Sequence, residues 1–80
     1  MKKLLEFILH SICDNPDKIS IEESETDGII TYSVKLDPQD IGKVIGKQGR
    51  IIRSIRTLLR TRAIKEGKRV QFVLQEEIEN

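Results

Sequence analysis

The sequence predicts an α+β domain in which three helices pack against a three-stranded sheet, in the order α-β-β-α-α-β. Two patterns and their punctuation carry that expectation. Apolar residues recur at three- and four-residue spacing in the first, fourth and fifth segments and alternate in the second, third and sixth, while Pro, Gly, Asp and Asn mark the joints. No internal repeat or low-complexity linker interrupts the order.

Leu4, Leu5, Ile8, Leu9 and Ile12 trace the buried face of a helix over about 2–13, and Asp14-Asn15-Pro16 stops it. Lys18 to Ser24 alternates through Ile19 and Ile21. Asp27-Gly28 signals a tight turn, and Ile30, Tyr32, Val34 and Leu36 alternate again, so the pair reads as a β-hairpin. Asp37-Pro38 reads as an N-cap followed by proline at the first helical position. It opens a short helix carrying Ile41, Val44 and Ile45, which Gly46 stops.

After Gly49 a longer helix is predicted to about Glu66, with Gly67 at the C-terminal cap. Ile51, Ile52, Ile55, Leu58, Leu59 and Ala63 fall on one apolar stripe, and Arg53, Arg56 and Arg60 form a basic ridge on the other side. Ile64 and Arg62 do not fit that division. Arg69 to Gln75 alternates through Val70, Phe72 and Leu74 as the third strand, and Glu76 to Asn80 reads as a frayed acidic tail. The expected organisation is a single domain over 1–77 with a short acidic tail over 78–80.

At 80 residues, 38% apolar and 34% charged, the chain is one small domain, too apolar and too periodic to be disordered. Such a chain buries only about 60% of its unfolded surface, so a partner subunit could add stability. One cysteine, Cys13, excludes an internal disulfide framework, and Cys13 with the single His10 makes neither a zinc site nor a nucleophile–base pair. No enzyme, metal or other cofactor is expected, and both residues read as ordinary packing or surface positions. Lys2-Lys3 followed by an apolar run resembles a leader peptide, but Glu6 and His10 break the run and no cleavage pattern follows. The expectation is a cytoplasmic protein without a membrane segment.

The net charge of +1 conceals an asymmetry. Residues 1–40 carry four cations against nine acids, residues 41–80 ten against four, and all ten of those cations lie between Lys43 and Arg69 with Glu66 as the one acid among them. Concentrated positive charge on a small domain points to a polyanion, of which nucleic acid is the usual one.

The segment Ile41-Gly42-Lys43-Val44-Ile45-Gly46-Lys47-Gln48-Gly49-Arg50 places two glycines around two polar residues at the junction of two helices. Glycines let the backbone turn tightly and approach a ligand, and the helix that follows offers unpaired N–H groups and a positive dipole end to an anion. Lys47 adds a mobile cation at the tip, Gln48 an amide, and Arg50 and Arg53 extend the positive field. A nucleotide-binding P-loop does not fit, because Ile41 stands where its first glycine belongs and Gln48 where its hydroxyl belongs. An RRM does not fit either, because Phe7, Tyr32 and Phe72 are the only aromatics and none lies in such a motif.

This segment resembles the GXXG loop of KH domains, and the α-β-β-α-α-β order is that of the type II, bacterial KH fold. Over residues 1–77 the chain is similar to the KhpA family of small stand-alone KH-domain RNA-binding proteins. The resemblance implies a groove, between the GXXG-bearing helices and a sheet edge, that holds about four single-stranded nucleotides. It implies that the backbone of Gly46, Lys47, Gln48 and Gly49 clamps the sugar-phosphate chain, with Ile41, Val44, Ile45 and Ile52 as groove floor and Lys43, Arg50 and Arg53 as flanking phosphate contacts. Arg56 and Arg60 stay open between a solvated ridge and a second RNA contact. The family also implies homodimers, heterodimers with a larger KH-containing RNA-binding protein of the KhpB or Jag type, and roles as an RNA chaperone or post-transcriptional regulator linked to cell elongation and division. Ile64, Val73 and the two glycine-bounded helices are candidates for the interface. The competing reading is a protein-interaction module in which RNA contact is incidental.

Overall fold

The computed structural model describes residues 1–75, so the expected acidic tail lies outside the described residues. The elements are α1 (Lys2–Ile12), β1 (Ser20–Thr26), β2 (Ile29–Lys35), α2 (Pro38–Ile45), α3 (Arg50–Lys65) and β3 (Arg69–Gln75). Their order is the predicted one, and it is the order of a type II KH fold. A single 3-10 turn over Pro16–Lys18 corrects the expected start of the first strand, which begins at Ser20 and runs to Thr26. Proline suits the start of that turn, because its fixed φ of about −65° matches a 3-10 turn and it lacks the N–H that a strand ladder uses.

The three strands form one sheet in the order β1-β2-β3. Asp27 and Gly28, at φ 53° and 77°, close the hairpin with the positive angles of a type I′ turn, bringing Thr26 opposite Ile29 in an antiparallel ladder. β3 returns parallel to β2, with Tyr32 beside Phe72. β2 is therefore central, and its inward residues Ile30, Tyr32 and Val34 are all buried. Leu5 and Leu9 of α1, Cys13, Leu36, Val44 of α2, Ile55, Leu59 and Ala63 of α3, and Phe72 complete the buried apolar set of the described residues.

The ends of the two later helices are sealed as the sequence suggests. The Asp37 carboxylate accepts the Gln39 N–H at 2.8 Å, and Pro38 follows it as the first helical residue. At the far end of α3, Lys68 N–H donates to the Ala63 carbonyl at 2.8 Å and Gly67 N–H to that of Ile64 at 3.1 Å, with Gly67 at φ 69°, a Schellman cap. The α3 stripe is narrower than predicted: Ile51 and Leu58 stay 38% and 51% exposed. Six apolar positions span a wider arc than the sheet, α2 and the short α1 cover.

One buried carboxylate ties the helices together. Asp40, 1% exposed, accepts from Asp14 N–H at 3.1 Å, Asn15 N–H at 2.9 Å and Asn15 Nδ2 at 3.3 Å, fastening the chain after α1 onto α2. Cys13 is buried beside this junction. Burial and then the Asp40 charge raise its thiol pKa, with Lys43 opposing, which suits a packed residue better than a nucleophile.

Tyr32 makes the fold sensitive to alkali. Burial, then a hydrogen bond to Glu23 and the Glu23 charge, push its phenol well above the ordinary value of about 10. The unfolded chain releases this proton near pH 10 while the folded one holds it, so the contribution is fully present below pH ~10 and falls by about 1.4 kcal/mol per pH unit above it. Denaturation midpoints followed from pH 8 to 11 are expected to drop more steeply for wild type than for Tyr32→Phe. Parallel curves would show that the phenol ionises freely in the folded protein.

Candidate nucleic-acid interface

The glycine-bounded corner has a defined backbone shape. Gly46 sits at φ 75°, ψ 176°, Gln48 at φ 57°, ψ 25°, and Gly49 at φ 73°, ψ 18°, with Lys47–Gly49 forming one 3-10 turn between α2 and α3. Gly49 N–H closes the turn onto the Gly46 carbonyl at 3.2 Å. An ideal Cβ on Gly46 would stand 2.6 Å from Ile51 Cγ1, so the corner is both left-handed and tight. Lys47 and Gln48 are exposed at its tip. The turn feeds the first residues of α3, where Arg50 N–H donates back to the Lys47 carbonyl.

From this corner α3 runs beside the edge strand β3. Arg56, Leu59 and Arg60 of the helix and Val70 to Val73 of the strand line a cleft of about 390 Å³ between them. At 1.5 Å rise per residue, Arg56 and Arg60 stand about 10 and 16 Å along the helix from Gly49. The cleft therefore lies farther along α3 than the glycine turn, with cations on one wall and a strand edge on the other. A second, shallower concavity of about 580 Å³ on the outward side of α3 is lined by Arg50, Arg53, Ser54, Thr57 and Leu58. The hydroxyls of Ser54 and Thr57 are turned back to Arg50 and Arg53 carbonyls of their own helix, at 2.9 and 3.0 Å.

The residues singled out from sequence separate into groups. Gly46, Lys47, Gln48, Gly49 and Arg50 follow one another around the corner, with Lys47, Gln48 and Arg50 exposed and the two glycines half-buried. Ile41 and Ile52 are half-buried against the core and Ile45 is half-buried, so each retains a face that a ligand could touch. Val44 is corrected: it is 0% exposed and wholly committed to the core, leaving it no face for a groove floor. Lys43 pairs with Asp14 beyond the C-terminal end of α1, which partly neutralises it. Arg53 donates from Nη2 to the Gln48 carbonyl at 2.8 Å. The basic ridge thus divides, Arg53 turning to the loop and Arg56 and Arg60 to the cleft. Sequence reading left those two open and gave the wall as a sheet edge without naming the strand, because nothing local shows that the last strand takes the edge beside α3.

The chemistry on offer is that of a polyanion site without aromatic stacking. Tyr32 and Phe72 are buried, and the remaining aromatic, Phe7, is on α1. Among the described residues no group of three His, Cys, Asp or Glu side chains could hold a metal ion. No described helix is long and apolar enough to cross a membrane.

Comparison with known proteins supplies the family. The family described as KhpA/KhpB, KH domain matches residues 2–74. A protein named RNA-binding protein KhpA from Clostridium acetobutylicum is 49% identical over 70 residues, covering 88% of this chain and 93% of that protein. Proteins of the same name are 40% identical in Aquifex aeolicus over 76 residues, 95% of this chain and 96% of the relative, and 39% identical in Chlamydia pneumoniae over 77 residues, 96% and 99%.

Proposed function

This chain belongs to the KhpA/KhpB KH-domain family, a non-enzymatic one, and from that premise we propose that it binds single-stranded RNA at the glycine turn and along the α3–β3 cleft. The observation that carries the reading is that one helix bears both features: the glycine turn, with Lys47 and Gln48 exposed, lies at the N-terminus of α3, and Arg56 and Arg60 farther along α3 wall the cleft against β3. The backbone of the turn and Lys47 hold the sugar-phosphate of about four nucleotides, Arg50, Arg56 and Arg60 add positive field, and Ile41, Ile45, Ile52 and the β3 edge meet the bases. Binding is weak, since no aromatic platform stacks the bases.

A salt titration tests the electrostatic part. With about three phosphates neutralised, at roughly 0.7 each on a single strand, log affinity against log salt is expected to fall with a slope near −2. A slope near zero would remove phosphate contact from the reading.

Association is the second part of the proposal. Ile51 and Leu58 are exposed on the side of α3 away from Arg56 and Arg60. That supports a homodimer, or a heterodimer with a larger KH-containing partner of the KhpB type, that leaves the cleft free. Ile64, 68% exposed, lies nearer the cleft side. In this reading the protein works in the cytoplasm as an RNA chaperone or post-transcriptional regulator, with cell elongation and division among the processes it serves.

A further inference from the structure

Sequence reading assigns Arg53 to a phosphate, yet its guanidinium is engaged by the loop itself. Nη2 donates to the Gln48 carbonyl at 2.8 Å, reaching back five residues, and lies 3.9 Å from where a Cβ on Gly49 would stand. Gln48 is one of two non-glycine residues with positive φ among those described. The other, Asp27, belongs to a type that tolerates this region, whereas glutamine is disfavoured there by roughly tenfold or more. A bare carbonyl at this point would also present its negative end where a phosphate is proposed to pass. A charge-assisted hydrogen bond from Arg53 satisfies that oxygen and reverses the sign of the local field.

We propose that Arg53 is a positioning residue: it holds Gln48 in the left-handed conformation and keeps the glycine turn in its binding shape, and it does not grip a phosphate. The part of this that concerns affinity rests on the RNA-binding reading; the part that concerns the loop stands on the free protein. A guanidinium carries five N–H donors, so the test has to separate the brace from a direct contact.

In protein without RNA, amide exchange and ¹⁵N relaxation at Lys47 to Gly49 are compared among wild type, Arg53→Met and Lys47→Met, after circular dichroism shows equal folding. Arg53→Met keeps an apolar stem but loses the donor, and exchange at Gln48 and Gly49 is expected to accelerate about tenfold. Lys47→Met removes a cation from the same turn and no brace, so it should leave those rates unchanged. In a second arm, a short single-stranded oligoribonucleotide is titrated at several salt concentrations. Arg53→Met is expected to weaken binding about fivefold with an unchanged salt slope, and to weaken it less in a Gln48→Gly background, where the left-handed cost is absent. Unchanged loop dynamics in Arg53→Met would overturn the proposal, as would a slope shallower by about 0.7, the mark of a lost phosphate contact. If the wild type binds no RNA, the RNA-binding reading fails, and the loop measurements alone still decide whether Arg53 is a brace.

Discussion

Gly46→Ala is expected to cost the fold about 3 kcal/mol, lowering the melting temperature by roughly 15 °C in a domain of this size. Two independent penalties coincide there. The backbone at φ 75°, ψ 176° occupies a region essentially closed to residues with a Cβ, at about 1–3 kcal/mol. The added methyl would also meet Ile51 Cγ1, Cβ and Cδ1 at 2.6, 2.8 and 2.9 Å. Ile51 sits in the first turn of α3, and its Cβ cannot retreat unless the start of the helix moves. Relief therefore displaces the turn that carries Lys47 and Gln48.

Two other glycines calibrate the claim. Gly49, at φ 73° and ψ 18° with only Arg53 Nη2 near its absent Cβ, bears the left-handed cost alone, so Gly49→Ala should cost about 1–2 kcal/mol. Gly42 lies inside α2 with nothing within 4 Å, and Gly42→Ala should stabilise by about 0.5–1 kcal/mol. Urea denaturation of the three variants checks the order. A Gly46→Ala protein no less stable than Gly49→Ala would show that the contact with Ile51 is not fixed.

Much of this fold was legible because its signals are local. Asp27-Gly28 sets the hairpin register, Asp37-Pro38 starts α2, and Gly67 ends α3, each through the φ angle or capping bond its own residue type supplies. The illegible features depend on residues far apart in sequence. Val44 and Ile41 read alike as apolar helix residues, and only the packing of α2 against the other elements buries the first completely and half-exposes the second. Lys43 reads as a free cation until the chain after α1 brings Asp14 to it. The cleft needs β3 at the sheet edge beside α3, a matter of topology that alternation of Val70, Phe72 and Leu74 does not encode. Arg56 and Arg60 could be assigned to it only once that strand was in place.

RNA binding at the glycine turn is expected to collapse when the charge at its tip is reversed. Lys47→Asp with Gln48→Asp changes the tip by three charge units. At about 1 kcal/mol per unit pair at ~4 Å in water, that is ~3 kcal/mol against one adjacent phosphate, or about a hundredfold in affinity. The fold should tolerate both changes. Each side chain is exposed, and aspartate is among the residue types that accept the positive φ of position 48. Fluorescence titration of a short single-stranded RNA into wild type and the double variant, after circular dichroism confirms equal folding, addresses the proposed site directly. Binding by wild type with about a hundredfold loss in the variant is the predicted result; equal binding by both, or none by either, would contradict RNA recognition at this loop.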